Sequence, residues 1–198
     1  PNPRGILNRF DYPLITGRLT FNFFETESGP GAGGFFWDGL YLERQPDRLI
    51  SPKRILSVGA SGMYQQDAVY NPSNAGVSDM FAVNGDIFLD WPIGDGTQAV
   101  AGQVNYYFYD YGEDSPNTGM GMFGEVGYRY NCFEPVIGVD WFDYSHTNLG
   151  DTLTVKGGVN WWMLGHNANV KFELGGSKVG DGDSETEEEF GLYAAVQT

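Results

Sequence analysis

Between Val159 and Leu174 the chain alternates apolar and polar residues on both sides of one short break, and that period of two constrains its fold more than any other feature. Beyond the break, Ala168, Val170, Phe172 and Leu174 fall on one side, and Asn167, Asn169, Lys171 and Glu173 on the other. Before it, Leu153, Val155, Val159 and Trp161 share a side with Gly157, opposite Thr154, Lys156, Asn160 and Trp162. Successive side chains of a strand point to opposite faces, so each half is a strand with one dry and one wet face. The break at Met163–Gly165 is short enough to join them as a hairpin. What covers the dry face is the question the rest of the chain answers.

The same alternation recurs along the sequence, and about ten strands are expected. Residues 1–13 form an irregular lead-in broken by Pro1, Pro3 and Pro13. Strands follow at Leu14–Phe24, Phe35–Arg44, Arg54–Gln65, Asp79–Trp91, Thr97–Asp110, Gly119–Asn131 and Phe133–Tyr144. The opening hairpin comes next, and Glu188–Thr198 is the last strand. Pro92–Gly96, Asn131-Cys132 and Met163–Gly165 read as tight turns, and Gln45–Lys53 as a turn with two prolines. The stretches at Gln66–Ser78, Tyr111–Thr118, Ser145–Asp151 and Gly176–Glu187 read as longer polar loops. Tight turns thus alternate with longer loops, as in a transmembrane β-barrel with turns on one side of the membrane and loops on the other.

Two further features separate such a barrel from a soluble β-sandwich. The expected strands match the roughly 9–11 residues a tilted strand needs to cross a bilayer, whereas ordinary strands run to about 5–6. Aromatic residues also gather near strand ends, where interfacial girdles lie: Phe23, Phe24, Phe35, Phe36, Trp37, Trp91, Tyr106, Phe108, Trp141, Trp161 and Trp162. A mean hydropathy of -0.33 fits a wall of which half faces a polar lumen. No apolar run approaches the roughly 18 residues of a membrane helix. No basic segment followed by an apolar one opens the sequence, as expected where any signal peptide has been removed. A net charge of -15 disfavours nucleic acid and anionic lipid as partners, and a single cysteine, Cys132, excludes an internal disulfide.

Gly165-His166-Asn167-Ala168-Asn169-Val170-Lys171-Phe172-Glu173 resembles the penultimate strand of the phosphate-selective porin O and P family. Gly85–Gly94, Phe133–Gly138 and Leu14–Asn22 fit the same pattern, so the resemblance covers nearly the whole chain but only the C-terminal half or so of a typical member. It implies a barrel of roughly 16 strands, a homotrimer in the bacterial outer membrane of a Gram-negative cell, and passive diffusion of small hydrophilic solutes or ions. Under it the chain is a single β-barrel domain or the C-terminal part of one. The ending Ala194-Ala195-Val196-Gln197-Thr198 lacks the terminal aromatic common in such barrels, which is expected of an incomplete chain.

If the dry faces meet lipid, the wet faces line a pore. Its cations are then Arg18, Arg129, Lys156 and Lys171, and its anions Asp86, Asp90, Glu125, Glu134, Asp140 and Glu173. Rings of such charges set ion preference, and the same residues suit a salt-bridge lattice that stiffens the wall. Acid exceeds base on these faces, so the phosphate selectivity in the family name is not expected to carry over. The acidic stretch Asp181–Glu189 lacks the spacing of a calcium loop and reads as a solvated loop, as do Asp110, Glu113 and Asp114. Glu125 and Glu134 are a conceivable acid pair for glycoside hydrolysis, but His146 and His166 have no triad or metal context. Neither an enzyme nor a cofactor or metal is expected. The alternatives are a closed structural or adhesive barrel displaying surface loops, with Trp162, Phe123, Tyr107 and Phe142 filling a narrow lumen, and a soluble carbohydrate-binding sandwich.

Overall fold

The computed structural model describes residues 12–24, 54–71, 76–94, 97–112, 115, 118–145, 151–163, 169–180 and 187–197, and the side chains of these except 70, 71, 169 and 187–197. Among them lie nine strands and no helix: β1 (Ile15–Asn22), β2 (Ile55–Asn71), β3 (Gly76–Ile93), β4 (Gln98–Asp110), β5 (Gly119–Tyr130), β6 (Phe133–Tyr144), β7 (Thr152–Trp162), β8 (Asn169–Val179) and β9 (Glu187–Gln197). They form one antiparallel sheet in strict sequence order, each strand paired with the next. Its edges, β1 and β9, share no ladder among the described residues.

The register keeps the two faces of each strand in phase with those of its neighbours. Ser61 pairs with Asn84, Asn84 with Tyr107, Phe123 with Asp140 and Asp140 with Thr154 on one face. Val58 pairs with Ile87, Ile87 with Val104, Val126 with Ile137 and Val139 with Val155 on the other. β5 and β6 turn through Asn131-Cys132, where Asn131 takes a φ of 52°, a left-handed conformation that asparagine tolerates better than most residues. This turn is tied to its neighbours, since the Asn131 amide donates to the Thr97 carbonyl and the Trp162 amide donates to the Cys132 carbonyl.

Several sequence expectations change. The loop expected at Gly176–Glu187 is shorter, because β8 runs on to Val179 and β9 begins at Glu187, which puts Glu187–Glu189 in a strand, as Asp110 is in β4. The polar loop expected at Gln66–Ser78 is largely strand, because β2 runs on to Asn71 and β3 begins at Gly76. A register shift between Gln65 and Val69, with Asp67 at a φ of 49°, breaks the alternation that would have marked the extension. The expected strand Phe35–Arg44 lies outside the described residues, and β1 pairs directly with β2, so no strand is inserted between them. The link from β1 to β2 therefore leaves and returns at the end of the sheet that carries the tight turns, against the expected alternation of short and long connections. Part of the turn expected at Met163–Gly165, and the residues from there to Ala168, also fall outside the description.

Burial is inverted relative to a water-soluble sheet. Leu19 is 81% exposed and Phe21 62%, and Ile87, Val104, Val126, Ile137, Val155 and Leu174 are also exposed. The polar face holds the buried residues, among them Ser57, Asp90, Arg129, Glu134 and Asn160. Among the described residues there is no second sheet over the apolar face.

Candidate functional site: the concave polar face

The polar face is the inside of a curved wall, because side chains on non-adjacent strands meet across it. Lys171 on β8 places its Nζ 3.1 Å from Glu125 Oε2 on β5, past β6 and β7. In a flat sheet three strand spacings alone separate these strands by about 14 Å. The ladders also put Gly175, not Lys171, level with Glu125, so Lys171 is displaced four residues along β8 as well, and the contact requires the sheet to curl around the polar face.

Small residues on the intervening strands make the close approaches possible. Arg18 on β1 reaches Asp86 on β3, with Nη2 donating to Oδ1 at 2.8 Å and Nη1 2.8 Å from Oδ2. Between them on β2 stands Gly59, where a Cβ would fall 2.6 Å from Arg18 Nη2 and from Asp86 Oδ2. Gly127 stands likewise against Glu134, a Cβ there falling 2.8 Å from Oε1. On the apolar face the pattern reverses: a Cβ added at Gly17 or Gly85 meets nothing within 4 Å.

Nearest the tight turns lies the most buried cluster. Arg129 is 5% exposed, Glu134 5% and Asp90 1%. Arg129 Nε donates to Glu134 Oε2 at 2.6 Å, and its Nη1 lies 3.4 Å from Asp90 Oδ2. Trp162 Nε1 also donates to Glu134 Oε2, at 3.0 Å, while the Arg129 guanidinium sits 5.5 Å from the Trp162 ring centroid. One guanidinium thus ties three strands and neutralises one of two carboxylates. Farther along, Lys171 binds Glu125 and Glu173, each at 3.1 Å. Lys156 lies 5.2 Å from the Phe123 ring centroid, and Tyr107 donates its hydroxyl to Asp140 Oδ1 at 3.2 Å.

Each expected pore residue whose side chain is described lies on this one face, as parity required: Arg18, Asp86, Asp90, Glu125, Arg129, Glu134, Asp140, Lys156, Lys171 and Glu173. The structure brings most of them together as ion pairs. Glu125 and Glu134, the conceivable acid pair, belong to separate clusters, one held by Lys171 and the other by Arg129. His146, His166 and Asp181–Thr186 lie outside the described residues. Among the described residues no three His, Cys, Asp or Glu side chains are grouped to hold a metal ion.

The sequence pointed to Tyr107 and Phe142 as lumen rings but not to the run of rings they join near the loop end of the same face. Tyr109 and Tyr111 stack at 6.2 Å, Tyr107 and Phe142 at 6.1 Å, and Phe142 meets Tyr144 edge-on at 4.4 Å. The parity of these residues was readable; their adjacency depends on β5 offering Gly119 and Gly121 beneath them.

The chain matches no protein-family model, no curated protein and no solved structure.

Proposed function

We propose that this sheet is the wall of an outer-membrane β-barrel porin, whose apolar face meets lipid and whose polar face lines a path for small hydrophilic solutes or ions. The observation that carries the reading is the inverted burial: large apolar side chains exposed on the convex face, charges buried on the concave one. In water the hydrophobic effect opposes that arrangement, whereas in a bilayer it is the arrangement of lowest free energy. Aliphatic residues such as Val104, Val126, Ile137 and Val139 occupy the middle of the convex face. Trp91, Tyr128, Phe133 and Trp161 lie toward the tight-turn end, and Tyr64, Phe81 and Trp141 toward the loop end, as two interfacial bands would. A strand of about 11 residues tilted by about 45° crosses roughly 25 Å, the height of an outer-membrane apolar band. The resemblance to the porin O and P family supports the same reading, and with it a larger closed barrel, a trimer and the bacterial outer membrane.

Transport in this reading is diffusion without turnover. The wall sets preference through its charges, and Asp86, Asp90, Glu125, Glu134, Asp140 and Glu173 exceed Arg18, Arg129, Lys156 and Lys171. A cation preference follows, without phosphate selectivity. The test is single-channel conductance in a planar bilayer under a salt gradient: stable steps with a reversal potential of cationic sign support the reading. Steps of anionic sign would overturn the assignment of selectivity.

A closed structural or surface-display barrel is the second reading, favoured by the contact of Lys171 with Glu125 past two strands, which places side chains well across the concavity. Absence of conductance from protein shown to be folded and inserted would select it.

A further inference from the structure

The loop end of the concave face differs in chemistry from the rest. Five rings form one continuous run there: Tyr111 just past β4, Tyr109 and Tyr107 on β4, then Phe142 and Tyr144 on β6. Between these strands β5 contributes Gly119 and Gly121. A Cβ at Gly121 would fall 2.5 Å from the Tyr107 ring and 2.8 Å from that of Phe142, so the rings lie directly over a glycine floor. All five residues are half-buried.

The groups around the run are hydrogen-bonding. Asp140 accepts the Tyr107 hydroxyl, and Thr154 and Ser177 share a hydrogen bond of 2.8 Å on the adjoining strands. Three cations of the face are paired with carboxylates: Arg18 with Asp86, Arg129 with Asp90 and Glu134, and Lys171 with Glu125 and Glu173. Lys156 borders the run, over the Phe123 ring whose residue pairs with Asp140. With a net charge of -15, and the Asp140 carboxylate facing the single bordering ammonium of Lys156, the surroundings disfavour anions. A row of flat apolar surfaces edged by hydroxyls and a carboxylate matches a ligand with flat C–H faces and a rim of hydroxyl donors.

We infer that this aromatic run is a binding track for a linear neutral oligosaccharide, with sugar rings stacked along Tyr111, Tyr109, Tyr107, Phe142 and Tyr144 and Asp140 accepting from their hydroxyls. This names the solute class for the porin reading and rests on it for access to the site. The track slows the sugar at the mouth of the pore and orders it along the wall.

Maltohexaose and cellohexaose are the probes, added to single channels of the intact protein in a planar bilayer. The expected result is a concentration-dependent current block by at least one of them. Replacing Tyr107 and Tyr109 together by alanine raises the half-blocking concentration about tenfold, the scale set by loss of aromatic contacts. Val104→Ala, on the convex face, blocks like the parent chain. Steps that neither sugar blocks, or that are blocked equally in the double variant, overturn the track while leaving the porin reading intact. Block by spermidine with none by either sugar overturns it in favour of an organic-cation site. If no steps appear, the porin reading fails instead. The track is then judged by titrating the folded, detergent-solubilised protein with maltohexaose and following tyrosine and tryptophan emission, where an unchanged spectrum overturns it.

Discussion

Arg129 is the residue on which the concave face depends most heavily, because it is the described cation between two buried carboxylates. Removing one partner of a buried ion pair leaves charge unpaired and costs about 3–5 kcal/mol. Arg129→Ala is therefore expected to lower unfolding stability in urea by that amount, and adding Asp90→Asn and Glu134→Gln restores much of it. A loss below about 1 kcal/mol, the scale of an exposed pair, would contradict the buried geometry. The glycines give a second test at this scale. A Cβ at Gly158 would lie 2.2 Å from the Phe172 carbonyl oxygen, a backbone atom that cannot swing aside. Gly158→Ala is expected to destabilise by about 1–3 kcal/mol, as overpacking does. Gly85→Ala, on the open convex face, stays within about 0.5 kcal/mol. Equal effects in the same unfolding assay would mean that the curvature is not as described.

At the scale of elements, β2 and β3 are longer than the other strands and outrun the roughly 9–11 residues of a membrane crossing. Their far end is fastened by Asp79, which accepts the Asp67 amide at 2.9 Å and the Tyr64 hydroxyl at 2.7 Å. The first of these hydrogen bonds, and then the second, hold the Asp79 carboxyl below its ordinary range. A depressed carboxyl contributes above its unfolded value, and the contribution is lost as pH falls through the lower folded value. The Asp67 amide resonance should thus titrate with a midpoint below about 3.9, the ordinary aspartate value, and Asp79→Asn should abolish the transition. A midpoint at or above the ordinary value would contradict the clasp. The reach of the hairpin is checked with single cysteines in a Cys132→Ser background: a membrane-impermeant thiol reagent should label Val77→Cys and spare Ile87→Cys in vesicles.

What the sequence disclosed at this scale follows from what alternation can carry. Parity alone assigned Lys171 and Glu125 to one face, since strand side chains alternate whatever the sheet does. It could not pair them, because they meet past two intervening strands and only curvature brings them together. The hairpin extension was hidden for a related reason: Gln65, Gln66 and Asp67 are polar in succession at the register shift, so the apolar group Ala68-Val69-Tyr70 beyond them does not continue a visible alternation. The ring track failed to stand out because it is assembled from β4 and β6 over Gly119 and Gly121, and glycine in a strand does not reveal which neighbours lean across it.

At the scale of the molecule, the central claim is that the convex face meets lipid and the concave face water. Spin labels placed singly at Asp86, Ile87, Val104, Asn105, Glu125 and Val126, in a Cys132→Ser background and in lipid vesicles, test it residue by residue. Accessibility to oxygen, which partitions into the bilayer, is expected to be high at Ile87, Val104 and Val126 and low at Asp86, Asn105 and Glu125, with a period of two along β3, β4 and β5. High accessibility of Ile87, Val104 and Val126 to a water-soluble nickel chelate, or no alternation between the faces, would contradict the account.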